Sequence, residues 1–250
     1  MLTFPLRPHI MQIYPRAISH ENGELMQTDL SSLHESALFK HVSQEELRQL
    51  FTCLRAKERS FARGAPIFRA GEPVRYVYYI LSGSIHIVDD DFWGNSSLVE
   101  TMYEQTLFAE AYVFSSTPQH LVSVIAAEDS VILEIDPDKL FHTCWKNCSC
   151  HTTLARNALG IVSEKVVRLT EKLRHVMRRT IREKLLSYLS AYAKRDGCSS
   201  FDIPYSRQQL ADYLCVDRSA LSHELAKLKQ QGIIRYHKNH FQLLVEHVEH

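Results

Sequence analysis

Residues 206–244 read SRQQLADYLCVDRSALSHELAKLKQQGIIRYHKNHFQLL, and the punctuation of this stretch decides how the C-terminal part of the chain folds. Ser206 with Gln209 three residues on is a capping box, so a helix starts there. Leu210, Ala211 and Leu214 give that helix an apolar face, and Cys215-Val216 form a turn. Asp217 then caps a second helix, where its carboxylate also suits the positive end of the macrodipole. Leu221, Leu225 and Leu228 recur at helical spacing and should face the core, and Gly232 ends the helix. Arg218, Ser219, Ser222, His223 and Lys227 are left outward, and such side chains hydrogen-bond base edges or phosphates. The alternating IIRYHKNHFQLL around Lys238-Asn239 reads as a two-stranded hairpin.

The stretch resembles the winged helix-turn-helix of the Crp/Fnr family of bacterial transcription regulators. The resemblance implies that Ser206, Arg207 and Gln208 at the start of the first helix touch DNA phosphates. It also implies that the second helix lies in the major groove, with Arg218, Ser219 and His223 reading bases and Ser222 beside them. Family members commonly carry Arg where this chain has His223, and imidazole lacks the guanidinium fork that pairs with guanine.

Charge is distributed to match. The chain of 250 residues has zero formal net charge, yet residues 1–155 hold 12 Lys+Arg against 19 Asp+Glu and residues 156–250 hold 17 against 10. An acidic half followed by a basic half fits a sensing part and a DNA-facing part. Hydrophobic content of 45% allows a sizeable core. No apolar run reaches the length of a membrane span and no signal-peptide pattern is present, which points to the cytoplasm and away from membrane partners.

Residues 1–30, interrupted by Pro5, Pro8 and Pro15, have no sustained period. They are either a disordered extension or, for about the first 25, sequence upstream of the true start codon. Residues 33–54 have helical periodicity, with a capping box at Ser43 and Glu46, and should form two short helices. Residues 57–140 alternate apolar and polar positions between Gly64, Gly71 and Gly83, as in an antiparallel barrel or jelly roll. With the run Val77–Leu81, this punctuation resembles the cyclic-nucleotide-binding fold. Asp89–Asp91 with Gly94-Asn95 reads as a hairpin tip, and a short helix is expected near Ala109–Phe114.

Cyclic-AMP-binding members of the family hold their ligand at that short helix. The resemblance implies a Gly-Glu pair at its start and an Arg-Ser or Arg-Thr pair some ten residues later, with Glu on the ribose and Arg on the phosphate. This chain has Ala109-Glu110 and then His120-Leu121. The guanidinium and the hydroxyl are both replaced, so the expected effector contacts are Glu110, His120 and Leu121 and the expected effector is not cyclic AMP. Glu110 reads equally well as an ordinary helix-start acid.

Asp136-Pro137-Asp138 opens a further helix whose sequence includes Cys144, Cys148 and Cys150. Cys144 and Cys148 share a helix face. Thiolates at this spacing could hold zinc, haem iron or an iron–sulfur cluster, or they are small side chains at a helix end. From Thr153 to about Arg179, Val162, Val166, Leu169, Leu173 and Val176 step by fours and threes in a coiled-coil seam. It forms either a homodimer interface or part of a single-chain core. A third capping box, Thr180 with Glu183, marks a break before the next helix.

These readings combine into an α+β chain in which the resemblance covers about residues 31–244. The expected parts are an N-terminal antiparallel β-roll of jelly-roll, cyclic-nucleotide-binding-like form over 31–152, a dimerisation helix over 153–179 and a winged helix-turn-helix over 180–250. The expected function is a homodimeric transcription factor on an inverted repeat of double-stranded DNA, answering to a small-molecule effector, with RNA polymerase among its partners. The alternative input is a metal, haem or redox signal at Cys144, Cys148 and Cys150. No nucleophile–His–acid set, P-loop or HExxH motif suggests an enzyme.

Overall fold

The structure is a computed structural model, and it describes residues 33–116, 119–141 and 149–244. The N-terminal extension, Cys144 and Cys148 lie outside the described residues. The chain divides into two compact units, 1–162 and 163–250.

The first unit begins with a 3-10 turn, Leu33–Glu35, and α1, Gln44–Leu54. Where periodicity suggests two helices, only the second forms. The Leu38 and Lys40 carbonyls accept from the Asn157 side-chain amide at 2.9 and 2.8 Å, and Ser36 Oγ bonds back to the Leu33 carbonyl, so the first segment closes as a turn. Ser43 and Glu46 form the expected capping box on α1.

Eight strands follow: β1 (Lys57–Phe61), β2 (Pro66–Phe68), β3 (Val77–Ser82), β4 (Ser84–Asp90), β5 (Ser96–Tyr103), β6 (Leu107–Phe108), β7 (Ser123–Ala126) and β8 (Ser130–Ile135). The short helix α2 (Glu110–Val113) lies between β6 and β7, and α3 (Pro137–Phe141) follows β8. All pairings are antiparallel, in two four-stranded sheets ordered β1-β8-β3-β6 and β2-β7-β4-β5, the jelly-roll form expected. The β3–β4 connection turns at Gly83, whose φ of +83° favours glycine and where a Cβ would strike the Asp129 carbonyl and Ser130.

The run Val77–Leu81 does not alternate in burial: all five residues are buried. Tyr78 and Ile80 face the interior of the roll with Phe68, Phe108 and Ile132. Val77, Tyr79 and Leu81 pack on the other face with Leu47, Leu50 and Leu54 of α1 and with Leu154 and Ala158 further along the chain. A strand covered on both faces reads as continuous apolar sequence.

The long helix α4 runs Ser149–Val176, four residues earlier at its start than the sequence suggested and three shorter at its end. Val166, Leu169 and Leu173 are exposed, as are Leu159 and Met177, while Val162 and Val176 are partly buried. Thr180 caps α5 (Ile181–Asp196) through the expected box with Glu183, and Gly197 closes it at φ +68°.

In the second unit, among the described residues, β9 (Ser200–Asp202), α6 (Arg207–Leu214), α7 (Arg218–Gln230), β10 (Ile234–His237) and β11 (His240–Leu243) follow α5. The hairpin is part of a three-stranded sheet ordered β10-β11-β9, not a two-stranded one. Phe201 pairs with Phe241, and both are buried in one core with Leu189, Leu210, Leu214, Leu221, Leu225, Leu228 and Ile234. Three residues are too few for an alternation to stand out, so β9 was not legible as a strand. Among the described residues no helix is long and apolar enough to cross a membrane.

Candidate DNA interface and sensor site

The helix pair is set by its caps. Ser206 Oγ accepts from the Gln209 amide and Gln209 Oε1 accepts from the Ser206 amide at 2.9 Å. Cys215 takes the left-handed turn position at φ +51°, and its amide closes α6 on the Asp212 carbonyl at 3.1 Å. Asp217 Oδ1 accepts from the Ser219 and Ala220 amides at 2.8 and 2.9 Å. The Ser219 hydroxyl also donates to Asp217, and these bonds hold the Asp217 carboxyl below the usual carboxylate range. Leu221, Leu225 and Leu228 are buried, and that fixes which face of α7 turns outward.

On the outward face Arg218, Ser219, Ser222, His223 and Lys227 are all exposed. Ser222 Oγ donates to the Arg218 carbonyl at 2.9 Å and keeps its lone pairs for an outside donor. At the start of α6, Ser206 and Gln208 are exposed, with Gln208 donating to Asp212 at 2.8 Å. Arg207 behaves differently. It is partly buried, Nη2 donates to the Lys238 carbonyl at 3.1 Å, and the guanidinium lies 5.2 and 5.6 Å from the ring centroids of Tyr236 and Phe241. Burial pulls its pKa down from the ordinary value.

The three effector candidates are divided. Glu110 and His120 are buried, at 6% and 2% exposure, and Leu121 is 67% exposed. Ala109 enters α2 at φ +64°, a left-handed conformation that costs a non-glycine residue about 1–2 kcal/mol, at the position where the ligand-binding pattern has glycine. His120 stacks on Phe68 at 3.7 Å between centroids and meets the edge of Tyr112 at 5.3 Å. Phe68 is itself against Tyr78 and Phe108, so an aromatic stack occupies this end of the roll. Burial lowers the His120 pKa, opposed by the nearby Glu72 carboxylate, and favours neutral imidazole. Among the described residues the His120 Nδ1 atom is buried with no hydrogen-bond partner. The role of Phe68 was missed from sequence, where it reads as one more inward strand residue.

Of the cysteine cluster only Cys150 is described. It is buried at the start of α4 with its sulfur 3.9 Å from Nδ1 of His151. Among the described residues no group of three metal-ligating side chains converges.

Residues 58–147 match the cyclic nucleotide-binding domain family and residues 183–247 match the Crp-like helix-turn-helix domain family. The chain belongs to the Crp/Fnr family. The transcriptional activator protein FnrL of Cereibacter sphaeroides is 36% identical over 66 residues, 23% of this chain and 27% of that relative. The alignment thus spans little more than a quarter of the relative's own length. Among solved structures, CprK complexed with OCPA superposes with a TM-score of 0.56 at 15% identity, over 80% of this chain and 89% of that one, and shares the fold. The catabolite activator protein of Thermus thermophilus gives 0.45 at 18% identity, over 83% and 93%.

Proposed function

We propose that this Crp/Fnr chain is a sequence-specific DNA-binding transcription regulator that binds an inverted repeat as a homodimer, under the control of an effector other than cyclic AMP. The observation that carries the DNA reading is the outward face of α7. Asp217 fixes the start of that helix, three leucines fix its rotation, and Arg218 and His223 stand exposed with their donors available to base edges. Ser219 and Ser222 lie beside them, and Ser206 and Gln208 at the start of α6 suit the phosphate backbone.

The homodimer reading rests on α4. Val166, Leu169 and Leu173 are 57%, 58% and 49% exposed at coiled-coil spacing, and an apolar stripe of that period is satisfied by a second copy of itself. A two-fold dimer sets its two α7 helices in successive major grooves, with half-site centres about 34 Å or ~10 bp apart.

The effector reading rests on His120. A phosphate needs a cation or a bidentate donor. Neutral, buried imidazole stacked on Phe68 supplies neither, and Leu121 has no donor. Two measurements test the proposal. Selection of bound sequences from a random duplex pool should return an inverted repeat with the stated spacing, and enrichment of no motif would overturn the DNA reading. Calorimetry with cyclic AMP should show no binding in the micromolar range, and a micromolar or tighter isotherm would overturn the effector reading.

A further inference from the structure

We propose that Arg207 is a positioning residue for DNA binding: it locks the hairpin so that Lys238 meets the DNA backbone, and is not itself a phosphate contact. The inference rests on the DNA-binding reading above and departs from the phosphate role that the family resemblance gives to this arginine.

Arg207 is the first residue of α6, where the positive end of the macrodipole makes a cation unfavourable. The side chain does not stay at the helix end. It crosses to the hairpin and donates Nη2–H to the Lys238 carbonyl at 3.1 Å. Its guanidinium carbon lies 5.2 and 5.6 Å from the ring centroids of Tyr236 and Phe241, which are directly opposite each other across β10 and β11 with centroids 5.8 Å apart. Tyr236 is held from α7 as well, by the Lys229 ammonium 5.5 Å from its centroid. Both helices of the motif therefore fix the hairpin through one ring.

The carbonyl that Arg207 holds belongs to the residue that makes the turn. Lys238 has φ +50°, the left-handed region that a lysine adopts only under constraint. A hydrogen bond at that carbonyl stabilises the turn, on which the Lys238 side chain is exposed. Arg207 has committed one N–H to the carbonyl and is partly buried beside two aromatic rings. Swinging out to a phosphate would give up the bond to the turn, whereas Lys238 is committed only through its backbone.

The test is a double-mutant cycle on the full-length chain with the selected duplex, reading affinity against salt between about 50 and 200 mM. Removing one cation–phosphate pair flattens the log–log slope by about 0.9, so losing one in each half-site flattens it by about 1.8, roughly a twelvefold difference across that range. Lys238→Ala and Arg207→Ala should each flatten the slope by about one unit per half-site, and the double variant by no more than either alone. Arg207→Lys keeps the charge but loses the fork and should behave as Arg207→Ala. Tyr236→Leu removes the ring beneath the guanidinium without changing any charge and should flatten the slope too. It keeps the test available if an Arg207 variant folds poorly. The proposal is overturned if the double variant loses about two units per half-site, if Arg207→Lys keeps the wild-type slope, or if Tyr236→Leu leaves the slope unchanged. Failure of the unmodified chain to bind any selected duplex would instead sink the DNA-binding reading itself.

Discussion

Glu110 and His120 of the sensor unit are 6% and 2% exposed, whereas Arg218 and His223 of α7 stand open to solvent. Both pairs stand at positions where the family resemblance leads one to expect a ligand. In the sensor unit both side chains are buried, and His120 stacks on Phe68. In the DNA unit the caps Ser206 and Asp217 and the leucine stripe use up the inward positions and leave the polar ones available. A ligand position can therefore become part of a core while its fold stays recognisable, and an interface position can stay free because nothing packs on it. The comparison predicts that substitutions at the first site act on stability and those at the second on binding.

The largest effect is expected on α4, which lies outside both sites. Leu169→Glu puts a carboxylate into each side of an apolar seam and should weaken the dimer by ~3–5 kcal/mol, taking DNA affinity with it. Analytical ultracentrifugation should then find monomer at micromolar concentration, and an intact dimer would remove the seam from the account. Next comes Phe68→Ala, which takes away the ring under His120. Core truncations of this kind cost ~3–5 kcal/mol, seen as a lower denaturation midpoint. A variant that melts like the original would mean that the aromatic stack contributes little packing.

Arg218→Ala is smaller and of the opposite kind. It should cost ~1–3 kcal/mol of DNA affinity per half-site and relax preference at one base pair, with the melting midpoint unchanged. If this variant loses stability instead, the contrast between the two sites fails.

The smallest expected effect is pH dependence. His120, His151 and His175 are buried, and burial lowers each pKa below the ordinary 6.5. The unfolded chain therefore takes up protons first as pH falls. The stability these groups contribute is present above about pH 6.5 and is lost as pH falls through their lowered folded values. Melting midpoints should drop between about pH 7.5 and 5.5. His175 offers a single-site version: Nδ1 is 2.8 Å from Ser187 Oγ on α5, and the ring meets the edge of Tyr188 and lies by Tyr213 of α6. The Arg174 and Arg178 charges press its pKa down further, against Glu171. His175→Gln should shallow the pH slope, and an unchanged slope would assign the dependence to other groups.

The sequence by itself determined the elements whose causes are local. Capping boxes at Ser43, Ser206 and Thr180 were legible because a cap is an interaction between residues three apart. The leucine spacing of α7 and the turn glycines of the β-roll were legible for the same reason. The first segment after residue 33 has a helical period and yet forms a turn, because its carbonyls bind Asn157, more than a hundred residues further along the chain. Only the tertiary structure decided that β9 joins the hairpin, that His120 lies on Phe68 and that Arg207 turns to Lys238. Each of these depends on which distant surface comes within hydrogen-bond or ring-stacking distance. Local periodicity and capping carry no information about that, because long-range pairings are settled by the packing of the whole core.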